Sequence, residues 1–252
     1  MKTEPVLRVA NLSKTYSRRR WFSSKHVTKT ALAGVSFELR ERSTLAFAGP
    51  SGAGKSTLVR CIVGREKPDS GEICFEGRNV AWPRSREFRR AVQLIPQDPG
   101  ASLNPRLTAF EIVSEPLAAR GLDRVFDLLA MVGLSPESRE RRADTFSGGQ
   151  RSRLAIARAL ACEPRVLILD ESLSSLDLLV QAQIVNLLVD LQDRLGLAYV
   201  LIAHDLSIVG HFADRIAVMD SGRIVEEGFP DQLFRKPQHP RTRELLAAAA
   251  GV

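Results

Sequence analysis

Gly49-Pro50-Ser51-Gly52-Ala53-Gly54-Lys55-Ser56-Thr57 fills every position of the Walker A pattern. An apolar run, Leu45 to Ala48, leads into it, and a helical pattern, Leu58, Cys61, Ile62, leads out. Strand, glycine loop and helix in that order make a phosphate cradle. Glycines let backbone N–H groups turn inward around phosphate oxygens, and the helix N-terminus adds the positive end of its dipole. In that setting Lys55 reaches the β and γ phosphates of a nucleotide, and the Ser56 hydroxyl holds Mg²⁺.

A second constellation is Val166-Leu167-Ile168-Leu169-Asp170-Glu171, an apolar strand ending in two acids, the form of a Walker B motif. Asp170 at the strand's carboxyl end is placed to hold Mg²⁺ through its water shell. Glu171, one residue on, points elsewhere and can polarise a water in line with the γ phosphate. A third is Phe146-Ser147-Gly148-Gly149-Gln150, followed by a strongly helical run from Arg151 to Ala161. A serine and two glycines at a helix start make another phosphate-type cradle. An ordinary serine N-cap accounts for the same residues. The chain has one Walker lysine, so a second cradle suggests that two chains share each nucleotide.

These residues need elements to hold them. Val6 to Asn11, Val35 to Leu39, Ser43 to Ala48, Gly71 to Gly77 and Ala91 to Ile95 read as strands. From Thr108 to Leu160 the pattern is helical, broken at Gly121, Gly133 and Pro136, and reads as an insertion between two core strands. Alternation then returns: strand Val166 to Leu169, helix Leu178 to Arg194, strand Ala198 to Ile202, helix Leu206 to His211, strand Arg215 to Met219. Arg223 to Glu227 reads as a last β element and Arg241 to Ala250 as a terminal helix. Strands alternating with helices imply a mostly parallel sheet covered on both faces, with ligands at the carboxyl ends of its strands. His204 falls at such an end, after the apolar run Val200 to Ala203.

Composition narrows the setting. No apolar stretch approaches the roughly 20 residues that span a bilayer, so any membrane role must come through a partner. Cys61, Cys74 and Cys162 are odd in number and lack metal-ligand spacing, and they read as core residues in a reducing compartment. The net charge of +7 suits an anionic ligand or surface, or plain solubility. Ser17 to Thr30 is basic, contains Trp21 and Phe22, and reads as a mobile loop, either solvated or in contact with lipid or a partner.

Walker A, Ser-Gly-Gly-Gln, Walker B and His204, in that order, resemble the ATP-binding cassette family over Leu7 to Leu246. The resemblance implies an α/β fold: a P-loop NTPase core with a mostly parallel sheet, an antiparallel β subdomain and an inserted α-helical subdomain. It divides one ATPase domain into residues 1–97 (β subdomain and Walker A), 98–161 (helical subdomain with the Ser147–Gln150 signature), 162–230 (remaining core) and 231–252 (C-terminal extension). It further implies a head-to-tail pair of cassettes, identical or paralogous, closing on two ATP molecules. Ser147, Gly148 and Gly149 would meet the partner's γ phosphate. Tyr16 matches the aromatic that stacks on adenine, Gln97 the sensor of Mg²⁺ and attacking water, and His204 the switch residue at the γ phosphate. Asp177 matches the acid that communicates across the dimer, a role compatible with capping the helix from Leu178. Ser172 stands where proline is usual, and Phe146 where leucine is common.

Within that family, Gln97 to Arg106 and Pro237-Gln238-His239-Pro240-Arg241-Thr242 are similar to segments of peptide and nickel importers, although an aromatic usually stands where Arg241 does. The resemblance implies an ATP-hydrolysing motor subunit at the cytoplasmic face of the membrane, beneath two permeases fed by a solute-binding protein. No cysteine cluster for an iron–sulfur centre is present near the C-terminus. Two other readings stay open: the ATPase of a soluble phosphonate-cleaving type of complex, and a nucleic-acid-linked cassette, for which the basic stretch Arg18 to Lys29 is the sole support.

Overall fold

A computed structural model describes residues 4–19, 26–117, 121–174, 176–203 and 206–249. The chain divides into two compact units, Met1–Phe88 with Ala198–Val252, and Arg89–Leu197.

In the first unit, β1 (Leu7–Arg19) pairs antiparallel with β2 (His26–Leu39) on one side and β4 (Ser70–Phe75) on the other, and β5 (Arg78–Asn79) extends the sheet beyond β4. The same unit holds β3 (Thr44–Ala48), which lies parallel between β8 (Ala198–Ile202) and β9 (Arg215–Asp220). Every residue of β3 and β8 is buried. That is why both read as continuous apolar runs rather than alternating ones: a parallel strand is covered on both faces. A final strand, β10 (Arg223–Gly228), turns back antiparallel on β9.

Helix α1 (Lys55–Val63) leaves β3 through the glycine loop and buries Leu58, Val59, Cys61 and Ile62. It stops at Gly64, whose left-handed φ of 85° lets its N–H reach back to the Arg60 carbonyl. Burial pushes the Cys61 thiol up to about 11, so it behaves as a neutral core side chain. Helices α7 (Leu206–Phe212), α8 (Pro230–Arg235) and α9 (Pro240–Ala249) complete this unit.

In the second unit, β6 (Val92–Ile95) pairs parallel with β7 (Val166–Asp170), with Ile95 opposite Leu169. Between these strands in sequence come α3 (Ala109–Ser114), α4 (Arg124–Met131) and α5 (Gly148–Leu160). Thr108 and Glu111 form a capping box on α3, and Thr108 makes an isolated β-bridge to Arg142. Helix α6 (Leu178–Leu195) buries Gln181, Ile184, Leu188 and Leu191, a spacing of one helical face, and ends at Gly196 with φ 71°.

The structure departs from the sequence reading in three places. Ser17 to Arg19 continue β1, and His26 to Thr30 open β2, paired as Ser17 with Thr28 and Tyr16 with Lys29. The flanks of the expected loop are therefore a β-hairpin, with residues 20–25 outside the described residues. Helix α2 (Arg86–Ala91) precedes β6 and takes Ala91 from the expected strand, and α8 was not anticipated. Among the described residues, no helix is long and apolar enough to cross a membrane.

Candidate nucleotide site

The glycine loop is shaped by contacts that leave no room for side chains. Gly49, Gly52 and Gly54 have φ of 151°, 81° and 109°. A Cβ on Gly49 would lie 2.2 Å from the Met219 carbonyl oxygen, and one on Gly54 would lie 2.4 Å from that of Ala31. Glycine is required at both positions by backbone conformation and by space. Ser51 and Gly52 are exposed at the loop's tip, whereas Ala53, Gly54 and Lys55 are buried.

Lys55 is only 4% exposed, so its ammonium must be met by protein acceptors. It donates to the Gly49 carbonyl at 2.6 Å and the Pro50 carbonyl at 3.0 Å. The charge is thereby held inside the loop. At the start of α1, Gly54 provides no side-chain cap, and the first turn contains no acid. Helix N-termini capped by serine or aspartate satisfy their own amides; this one leaves them for an anion. Ser56 and Thr57 follow, both half-buried. These features fit a nucleotide's phosphates. Tyr16 is on β1 in the same unit, its hydroxyl buried without a hydrogen-bond partner and the Lys14 ammonium 5.7 Å from its ring centre.

In the second unit, the parallel register of β6 and β7 brings Gln97 and Asp170 to the same end of the strand pair. Gln97 is exposed two residues past β6, and Asp170 is the last residue of β7. Glu171 has φ 52°, a left-handed conformation that costs a residue with a Cβ. Its carbonyl accepts from the Ser174 backbone N–H at 3.2 Å and hydroxyl at 2.8 Å, which stabilises the bend. The Gln181 side chain donates to the Leu173 carbonyl at 2.7 Å, tying the same turn to α6.

Ser147 caps α5 by accepting from the Gln150 N–H, while the Gln150 side chain accepts from the Ser147 N–H at 3.0 Å. Asp177 caps α6, accepting from the Val180 N–H at 3.0 Å. A Cβ on Gly149 would stand 2.6 Å from Val180 Cγ1, so the glycine admits the first turn of α6 against the start of α5. Val180, whose N–H Asp177 caps, thus packs against the Ser147–Gln150 motif. His204 lies outside the described residues.

The ABC transporter family matches residues 32–174. The chain belongs to the ABC transporter family. The probable peptide ABC transporter ATP-binding protein y4tS of Sinorhizobium fredii is 45% identical to it over 98% of this chain and 73% of that one. The dipeptide transport ATP-binding protein DppF of Haemophilus influenzae is 44% identical over 97% of this chain and 78% of its own length. Among solved structures, the ATP-binding cassette MJ0796, a dimer in a post-hydrolysis state bound to ADP and Pi, superposes with a TM-score of 0.76. It is 29% identical and covers 89% of this chain and 98% of that chain.

Two residues that support these motifs, one in each unit, escaped the motif reading. Gly222, in the turn between β9 and β10, donates its N–H to the Ala53 carbonyl at 2.9 Å and so holds the glycine loop from below. Its Ser-Gly turn pair was a visible signal for a hairpin, but not for what the hairpin touches. Arg158 on α5 donates to the Ser102 carbonyl at 2.9 Å and to its hydroxyl at 3.0 Å. Burial lowers the Arg158 pKa from its ordinary value. The residue fastens the loop after Gln97 to the helix that begins at Ser147, and nothing in its helical sequence context marks it out.

Proposed function

We propose that this chain is the ATP-hydrolysing motor subunit of an importer for oligopeptides or dipeptides, acting at the cytoplasmic face of the membrane. The observation that carries this reading is the similarity, over 97–98% of this chain, to peptide and dipeptide transport ATP-binding proteins. Its partners are a second cassette, identical or paralogous, two permease subunits and, through them, a solute-binding protein.

The roles of the residues are those that the resemblance to the ATP-binding cassette family assigns to them. The loop Gly49 to Thr57 binds the phosphates through inward N–H groups, and Lys55, held by the Gly49 and Pro50 carbonyls, reaches the β and γ phosphates. The resemblance assigns Ser56, Gln97 and Asp170 to holding Mg²⁺, which when bound would neutralise charge developing on the phosphate oxygens. Glu171 orients and polarises the attacking water. The resemblance assigns Tyr16 to stacking on adenine and His204, which lies outside the described residues, to the γ phosphate. Ser147, Gly148, Gly149 and Gln150 present a helix N-terminus to the nucleotide held by the partner cassette, and Asp177 reports across the dimer. The loop after Gln97, pinned by Arg158, carries closure to the permeases.

Two measurements test this. Glu171→Gln should slow ATP hydrolysis by roughly 10²- to 10⁴-fold while leaving ATP binding in place; hydrolysis at the wild-type rate would remove Glu171 from that role. Tagged protein drawn from its native membranes in mild detergent should bring two polytopic membrane proteins and a cassette with it. Recovery of soluble enzymes alone would overturn the transport reading and leave the ATPase intact.

A further inference from the structure

The stretch Pro237 to Thr242 has no part in the chemistry above, yet it is tied to the strand hairpin on which the glycine loop rests. Arg241, in the first turn of α9, places its Nε 3.2 Å from Asp220 Oδ1, and a second guanidinium nitrogen meets Glu244. Asp220 is the last residue of β9, and its Oδ2 accepts from the Ser221 hydroxyl at 3.2 Å. Ser221 and Gly222, with φ of 48° and 79°, form the two-residue turn into β10. Both positive angles match the hairpin turn whose twist suits the flanking strands, but Ser221 adopts one at a cost that glycine would not incur. The Asp220 carboxylate offsets that cost while it is itself held by Arg241.

This turn touches the nucleotide loop at both ends. The Gly222 N–H bonds to the Ala53 carbonyl, and the Gly222 carbonyl accepts from the Ala33 N–H at 2.8 Å. A Cβ on Gly222 would lie 2.8 Å from the Ala31 carbonyl oxygen, so the turn has no slack. One residue before Asp220, the Met219 carbonyl fills the space beside Gly49. Further along β10, Glu226 accepts from the N–H groups of Gln238 at 2.8 Å and His239 at 2.9 Å, and from the Thr242 hydroxyl. The C-terminal stretch therefore grips the hairpin at its turn and again along β10.

We propose that Arg241 is a positioning residue for nucleotide binding. By fixing Asp220 it holds the Ser221-Gly222 turn, which in turn fixes Ala53 and the inward N–H groups of the glycine loop. The two side chains of this ion pair are 37% and 31% exposed, and pairs open to solvent to that extent add little to global stability. Its effect is therefore expected in the geometry of the loop, read as nucleotide affinity. This inference rests on the reading that Gly49 to Thr57 binds ATP.

The test is calorimetric titration of the full chain with MgATP. Arg241→Ala should weaken binding about three- to tenfold, with the melting temperature of the nucleotide-free protein unchanged. Arg241→Lys should recover most of the loss, because an ammonium still pairs with Asp220. Glu244→Ala, which removes the other partner of Arg241, should bind as the wild type does. In an Asp220→Ala background, Arg241→Ala should add nothing further. Wild-type affinity in Arg241→Ala, or a full additional loss in the Asp220→Ala background, would overturn the proposal. A wild-type chain that bound no MgATP would instead remove the nucleotide reading itself.

Discussion

The Glu171 carbonyl accepts two hydrogen bonds from Ser174, one from its N–H and one from its hydroxyl, across a bend in which Glu171 holds φ 52°. A left-handed conformation at a residue with a Cβ persists only where neighbouring contacts enforce it. Ser174 contributes to that enforcement through both bonds to the Glu171 carbonyl. Ser174→Ala keeps the N–H bond and loses the hydroxyl bond, a change worth about 1 kcal/mol. The expected result is a several-fold fall in kcat with KM for ATP unchanged, measured by steady-state phosphate release.

Gly54→Ala forces a Cβ against the Ala31 carbonyl at a residue with φ 109°. The backbone strain alone costs about 1–3 kcal/mol. Urea unfolding should show a lowered midpoint at unchanged slope, and nucleotide titration should show affinity lost at temperatures where the variant is still folded. Gly34, which also has positive φ but no atom within 4 Å of its Cβ position, is the control: alanine there should lower stability less and leave nucleotide affinity intact.

Arg158→Ala removes both hydrogen bonds to Ser102 and leaves the half-buried Ser102 carbonyl without this donor. A loss of about 1–3 kcal/mol in stability is expected. If the loop after Gln97 conveys closure to the permeases, reconstituted transport should fall further than ATP hydrolysis does. Transport and hydrolysis falling in step would show that Arg158 serves folding alone.

Acid should undock the C-terminal stretch. Burial raises the Glu226 carboxyl, but hydrogen bonds from the Thr242 hydroxyl and from the N–H groups of Gln238 and His239 outweigh it and hold the group below the ordinary glutamate range. A depressed folded pKa stabilises the docked state above the unfolded value, near 4.3 for glutamate. That stability is lost as pH falls from there through the lower folded value. Limited proteolysis by an acid-active protease should therefore cut near Pro237 with rising efficiency below about pH 4. Glu226→Gln should be cut readily at higher pH as well.

The parts legible in the sequence were those where one local rule suffices. β3 and β8 are continuous apolar runs because they are buried on both faces, and α6 carries a helical stripe with a cap and a terminal glycine. The extension of β1 past Asn11 was hidden because its outer half is polar and half-exposed, and a register shift between Ala10 and Ser13 interrupts the alternation. Helices α2 and α8 were hidden by their length, six residues each, too short for a stripe to declare itself. Gly222 and Arg158 support the motif segments through contacts far along the chain that no local pattern encodes.

Val180 leans into the space that Gly149 leaves empty. The two helix starts therefore interlock like cogs: a push on the Ser147 cap must displace the Asp177 cap as well. On the proposed reading, a nucleotide held by the partner cassette would be felt at both caps together. A side chain larger than hydrogen at position 149 would push Val180 aside and part the two helix starts.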